Sequence, residues 1–120
     1  MLGLRTTIYK VSNLLRAKEW YTKVFQIEPY FENEFYVGFN VKGYELGIMK
    51  ADNELNKTDN VLSYWGVDNI NEKFDFFLKS GALAHEKPID VGEGILVASV
   101  KDPWNNVIGL IYNPLFKLPE

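Results

Sequence analysis

The stretch Val11-Ser12-Asn13-Leu14 returns 56 residues later (67 − 11 = 56) as Val67-Asp68-Asn69-Ile70. In both places a segment rich in β-branched and aromatic residues precedes the quartet, and apolar residues at helical spacing follow it. The asparagine of each quartet offers a side-chain oxygen to the free amides of a helix start. The sequence therefore predicts a strand followed by a capped helix twice, and an internal duplication is the economical explanation.

Three short strands are predicted after each helix, because apolar segments there alternate with turn residues. In the first half they cover Tyr30-Phe31, Phe35–Val41 and Tyr44–Met49. In the second half, where Gly81 closes the helix, they cover Ala82–Val91, Ile95–Val100 and Val107–Tyr112.

The predicted class is α+β, with two tandem βαβββ modules that form a curved, open, barrel-like sheet around a shared cavity. We expect a single domain composed of module one (residues 4–50), a polar linker (51–60), module two (61–113) and a tail (114–120).

Composition excludes several classes of protein. A chain of 120 residues with 47% hydrophobic residues can bury one core. A net charge of −3 without a basic stripe speaks against nucleic acid as a partner. The absence of cysteine excludes disulfides, thiolate metal sites and thiol nucleophiles. Without a secretory leader pattern or a run of roughly 20 apolar residues, we expect a cytoplasmic protein with no membrane partner.

Three features make the chain resemble a known family from Leu4 to Asn113. They are the first quartet followed by Ala17 and Trp20-Tyr21, the second quartet, and Lys101-Asp102-Pro103-Trp104-Asn105-Asn106 before the last strand. In their order and spacing they resemble the vicinal-oxygen-chelate superfamily, the group of glyoxalases, bleomycin-resistance proteins and extradiol dioxygenases. The resemblance implies the two-module fold and a homodimer.

Enzymes of that superfamily hold a divalent metal with one His, Gln or Glu from each of four strands. The resemblance places these positions at Thr6, Glu45, Leu62 and Gly109. Only Glu45 is an ordinary ligand for such an ion. We therefore expect no metal and no other cofactor.

The face of each first strand that points away from its helix is predicted to line the cavity. The resemblance implies that Glu45, on the fourth strand, also projects into the cavity, and it is the leading candidate because a partly buried carboxylate can act as a base or meet a positive group. Pairing with Lys10, or exposure to solvent, is the alternative. The predicted ligand-binding residues are Thr6, Ile8, Lys10, Glu45, Met49, Leu62, Tyr64, Trp104 and Ile111.

Two aromatic residues of that set, Tyr64 and Trp104, are candidates to stack on a flat ligand, with plain packing as the alternative. The other lining residues are mostly apolar, which favours a hydrophobic or aromatic ligand, unless the same side chains fill the cavity. His85, the only histidine, has charged neighbours and is predicted to lie on the surface. We assign no catalytic residue.

Three functions follow as hypotheses. The first is metal-independent binding or sequestration of a small, mostly apolar or aromatic molecule, similar to bleomycin-resistance proteins. The second is a lyase or dioxygenase with an atypical site around Glu45. The third is an interaction module with a vestigial cavity.

Overall fold

The computed structural model describes residues 1, 3–51, 57 and 61–118, so most of the predicted linker lies outside the described residues. The elements follow one another in the predicted order. They are β1 (Thr6–Val11), α1 (Leu14–Phe25), β2 (Phe31–Glu32), β3 (Tyr36–Val41), β4 (Tyr44–Lys50), β5 (Tyr64–Gly66), α2 (Ile70–Lys79), β6 (Leu83–Asp90), β7 (Leu96–Lys101) and β8 (Val107–Tyr112). The α+β class and the two successive βαβββ modules are confirmed. No helix in the described part of the chain is both long and apolar enough to cross a membrane.

The chain divides into two compact units, Met1–Asn56 and Lys57–Glu120. Each unit contains one open sheet of four strands, in the order β1-β4-β3-β2 in the first and β5-β8-β7-β6 in the second. In both sheets the first two strands of that order are parallel and the remaining neighbours are antiparallel. The two units thus repeat one topology, whereas the single domain and the shared cavity stay predictions.

The two helices begin in the same way, as the repeated quartets predict. The Asn13 side-chain oxygen accepts a hydrogen bond from the backbone N–H of Arg16 at 3.1 Å, and the Asn69 oxygen accepts one from that of Glu72 at 3.1 Å. Their backbone angles are nearly equal, with φ −126° and ψ 99° at Asn13 and φ −124° and ψ 97° at Asn69. Such caps satisfy amides that the helix itself leaves without partners.

Each sheet packs one face on its own helix. In the first unit, Tyr9 of β1 stacks on Tyr21 of α1 with ring centroids 5.8 Å apart. On the other face of β1, Thr6, Ile8 and Lys10 are exposed, which confirms the predicted alternation. The buried apolar residues are Tyr9, Val11, Ala17, Tyr21, Val24, Val37, Phe39, Leu46 and Ile48 in the first unit, and Ile70, Phe74, Phe77, Ala82, Ala98, Val100, Ile108 and Leu110 in the second.

Candidate functional site

Two tyrosine hydroxyls hold the carboxylate of Glu45. Glu45 lies on β4 opposite Thr6 of β1 and Asn40 of β3, on the sheet face that points away from α1. The Tyr30 hydroxyl donates to Glu45 Oε1 at 2.7 Å, and the Tyr36 hydroxyl donates to Glu45 Oε2 at 2.6 Å. We call Tyr30, Tyr36 and Glu45 the tyrosine–glutamate cluster.

Two glycines make room for this cluster. Gly38 of β3 and Gly47 of β4 are paired across the sheet. A Cβ atom at Gly47 would lie 2.8 Å from Cε2 and Cζ of the Tyr36 ring, and one at Gly38 would lie 2.8 Å from Glu45 Oε2 and 3.2 Å from Tyr30 Cε1. Because real Cβ atoms do not approach other atoms so closely, glycine at these positions lets Tyr36 and Glu45 lie close against the strands.

The electrostatics of the cluster keep both phenols protonated. Burial, followed by the hydrogen bond to Glu45, raises the pKa of Tyr36 above its ordinary value near 10. The hydrogen bond to Glu45 is the main cause that raises the pKa of Tyr30. Both hydroxyls therefore remain donors to the carboxylate at neutral pH. Among the described residues, no lysine or arginine forms an ion pair with Glu45.

An exposed aromatic surface lies beside the carboxylate. The Phe31 ring is 6.5 Å from that of Tyr30 and 6.3 Å from that of Tyr36 between centroids, tilted against both. Tyr30 is 63% exposed and Phe31 is 48% exposed. We call Tyr30, Phe31 and Tyr36 the aromatic rim. Its rings offer apolar contact area next to one negatively charged group.

The predicted first-unit residues share the face on which the cluster lies. The parallel register places Thr6 opposite Glu45, Ile8 opposite Gly47, and Lys10 opposite Met49. Lys10 is therefore four residues along β1 from Thr6, the residue opposite Glu45. The Glu45 carboxylate bonds the two tyrosines and not Lys10, which was the predicted alternative. The predicted residues of the first unit thus lie on one face of the sheet. Glu45 is hydrogen-bonded there by Tyr30 and Tyr36, which were not among the predicted residues.

Two of the predicted residues of the second unit, Leu62 and Tyr64, lie close together. Leu62 and Tyr64 both lie against Gly109, where an added Cβ atom would be 3.2 Å from Leu62 Cδ1 and 2.8 Å from Tyr64 Cδ1. Ile111 is half-buried on β8. Trp104 belongs to the turn before β8, and its carbonyl accepts a hydrogen bond from Lys57 Nζ at 3.0 Å.

The residues present do not fit the divalent metal that the resemblance implies. The four expected ligand positions hold Thr6, Glu45, Leu62 and Gly109, and each carboxylate oxygen of Glu45 already accepts a phenol. Within the described ranges, no three His, Cys, Asp or Glu side chains come together in a group that could hold an ion. A hard or borderline cation needs several strong ligands, and the chain does not supply them there.

His85 contacts a buried side chain, although the sequence predicted a surface position. Its Nδ1 atom is 2.8 Å from Ser99 Oγ, and the Ser99 hydroxyl donates to Glu86 Oε1 at 3.2 Å. The register of β6 shifts between Ala84 and Glu86, which is an irregularity of the β-bulge kind. The bulge accounts for two consecutive side chains reaching one serine, which is only 1% exposed.

Sequence reasoning missed the part that Tyr30 and Tyr36 play, and one signal for it was present. Tyr36 alternates with Val37 and Phe39, so it belongs to the face of Glu45. Gly38 and Gly47 within strands are typical of places where another group approaches the backbone closely. The bulge at His85 left no comparable signal in the sequence.

The chain is similar to known proteins in its three-dimensional structure and not in its sequence. No protein-family model matches the chain. No curated protein matches it in sequence. A glyoxalase-related enzyme from Fulvimarina pelagi is similar in structure, with a TM-score of 0.80 and 15% identity over 99% of this chain and 94% of that chain.

Two further solved structures have similar values. The fosfomycin resistance protein FosX from Listeria monocytogenes has a TM-score of 0.78 and 17% identity, over 96% of each chain. A glyoxalase/bleomycin resistance protein/dioxygenase family enzyme from Burkholderia phytofirmans PsJN has a TM-score of 0.77 and 14% identity, over 92% of this chain and 98% of that chain. The chain has the fold of these proteins, which confirms at the level of fold the resemblance seen in the sequence.

Proposed function

We propose that the chain binds or sequesters a small, mostly apolar or aromatic molecule, without a metal, on the open face of the first unit's sheet. The single observation that carries the proposal is that the two tyrosines which bond Glu45 also form, with Phe31, the aromatic rim. Sites for small molecules typically combine apolar and aromatic surface with a few fixed polar groups. Here the rings supply the surface, and Glu45 supplies a polar group that two hydroxyls hold in place.

The likeness to bleomycin resistance proteins adds support, because it shows that this fold occurs in proteins named for resistance to a drug. Fold alone is a weak guide to function, so the proposal rests on the residues of the site. In the second unit, the exposed ring of Tyr64 beside Leu62 offers another apolar surface.

A lyase or dioxygenase reaction is the second candidate, and the bond of 2.6 Å between the Tyr36 hydroxyl and Glu45 is what favours it. A carboxylate and a phenol in contact can serve as general base and general acid. The raised pKa of Tyr36 keeps its phenol protonated at neutral pH, so in such a reaction it would serve as a hydrogen-bond donor to developing negative charge while Glu45 serves as the base. Conversion of a bound compound to product, lost in Glu45→Gln, would favour this candidate over simple binding.

A ligand-observed NMR screen with a library of small neutral and charged aromatic fragments tests the proposal. We expect fragments that carry an aromatic ring to bind, whereas sugar phosphates in the same library do not. Replacing Tyr30 with alanine removes an exposed ring and one hydrogen bond to Glu45, so we expect at least about a tenfold loss of affinity for the fragments that bind.

Phe35→Ala is the matched control. Phe35 is also an aromatic residue that is 63% exposed, but it has no hydrogen bond to Glu45. We expect Phe35→Ala to bind the fragments as the unaltered protein does. The proposal fails if no fragment binds, or if Tyr30→Ala and Phe35→Ala have the same affinity as the unaltered protein.

A further inference from the structure

The negative charge of Glu45 has no positive partner among the described residues. Glu45 is half-buried and bonds two tyrosines, and at such a position the effective dielectric constant is lower than in water. The two tyrosine hydroxyls donate to it but carry no charge, so they leave the charge itself unbalanced. A positively charged ligand group could therefore form an ion pair with Glu45 without displacing a lysine or arginine of the described residues.

Side chains of the described part of the chain use about half of the hydrogen-bonding capacity of Glu45. An ionised carboxylate has about four acceptor positions, two on each oxygen. Tyr30 occupies one position on Oε1, and Tyr36 occupies one on Oε2. One acceptor position therefore remains on each oxygen, which is the pattern that a planar cation with two parallel N–H groups can use.

The aromatic rim adds a reason for a cation over a neutral molecule. The faces of tyrosine and phenylalanine rings carry partial negative charge and attract cations within about 6 Å. Tyr30 and Phe31 are exposed, so their rings are accessible to a ligand that reaches Glu45. The rim also provides apolar area for the uncharged part of the same molecule.

We infer that the ligand is an organic cation with N–H groups, an amidinium, guanidinium or primary ammonium attached to a flat apolar body, whose charged end bonds Glu45 while its body lies on the aromatic rim. The inference rests on the proposed function and names the class of ligand. An N–H cation fits better than a quaternary ammonium, because the free acceptor positions on Oε1 and Oε2 call for donors. It fits better than a metal ion, because Glu45 is a single carboxylate.

Isothermal titration calorimetry with three related probes tests the inference. Benzamidine carries the planar N–H cation, benzamide is its neutral counterpart of the same shape, and benzyltrimethylammonium carries a charge without N–H groups. We expect benzamidine to bind at least about tenfold more tightly than either of the others, since charge-assisted hydrogen bonds are stronger than neutral ones. The comparison uses the unaltered protein and does not depend on the folding of a variant.

Two variants then locate the effect. Glu45→Gln keeps the shape of the side chain and removes its charge, so we expect benzamidine to lose its advantage over benzamide. Glu19→Gln removes an equal charge from the exposed surface of α1, and we expect the advantage to be kept. An advantage that survives in Glu45→Gln would contradict the inference.

The outcomes separate this inference from the proposed function. If benzamide binds as tightly as benzamidine, the ligand is not selected by charge, and the inference fails while small-molecule binding stands. If benzyltrimethylammonium binds as tightly as benzamidine, the requirement for N–H groups is wrong. If none of the three probes binds, the inference fails, and the fragment screen decides separately on the proposed function.

Discussion

Gly47 decides where the Tyr36 ring lies. A Cβ atom there would collide with the ring and with its hydroxyl, whereas the backbone of Gly47 has no positive φ angle that would itself require glycine. The cost of a side chain at this position is therefore a collision and not backbone strain. The position of the Tyr36 ring therefore depends on the absence of a Cβ atom at Gly47.

Replacing Gly47 with alanine should push the Tyr36 ring away and break its hydrogen bond to Glu45. We expect a loss of about 1–3 kcal/mol in the free energy of unfolding, which is typical of overpacking and of a lost hydrogen bond to a charged group. Urea unfolding measures this loss. The same substitution should be nearly neutral when Tyr36 is already alanine, since the collision is then gone.

Gly66→Ala is the matched control for this experiment. Gly66 is also a strand glycine without a positive φ angle, but nothing lies within 4 Å of the place where its Cβ atom would be. Alanine should be tolerated there, with a change of less than about 0.5 kcal/mol. A loss at Gly66 equal to that at Gly47 would show that the collision with Tyr36 is not the cause.

Residue-level prediction from sequence reached Glu45 but not its partners. The family resemblance indicates position 45. Tyr30 reaches the carboxylate from outside the strands, at the start of the short hairpin of β2 and β3. Hydrogen bonds between side chains of different elements depend on tertiary geometry, which local pattern does not contain.

Helix starts are the elements that the sequence predicts best. The cap is a local interaction between Asn13 and Arg16, and between Asn69 and Glu72, so a window of a few residues contains all of it. The bulge in β6 is the opposite case. It depends on how β6 pairs with β7, and the residues of β6 alone do not predict it.

Asn13→Ala and Asn69→Ala should each destabilise the protein by about 1 kcal/mol, because each removes the acceptor for one helical amide. The nearly equal geometry of the two caps predicts costs that agree within about 0.5 kcal/mol. Thermal unfolding of both variants measures these costs.

Asn71→Ala serves as the control, since Asn71 is an exposed residue within α2 and does not cap it. Alanine is a better helix former than asparagine, so we expect this variant to be unchanged or slightly more stable. Costs below about 0.3 kcal/mol at both caps would contradict the account of how the helices begin.

The internal repeat of the sequence predicts the division of the molecule into two modules. The offset of 56 residues between the quartets predicted two modules of the same topology, and both sheets have it. The periodicity of single segments does not say how strands group, so the division into two open four-stranded sheets needed the structure. Neither the cavity nor its lining follows from strand order alone.

A homodimer is our proposal for the assembled state, because the tail places three exposed apolar side chains on the surface. They are Leu115, Phe116 and Leu118. We expect light scattering after size exclusion to give twice the chain mass of 13.9 kDa at micromolar concentration. A monomer under these conditions would rule the proposal out, and a dimer unaffected by Phe116→Ser would place the interface elsewhere.

The most direct test of a binding site around Glu45 maps the strongest fragment from the NMR screen onto the backbone amides of ¹⁵N-labelled protein. We predict that the largest shift changes fall on the open face of the first sheet, at Ile8, Gly38, Glu45 and Gly47, and on the aromatic rim. Shift changes confined to the second unit, or spread evenly over the surface, would contradict a binding site built around Glu45.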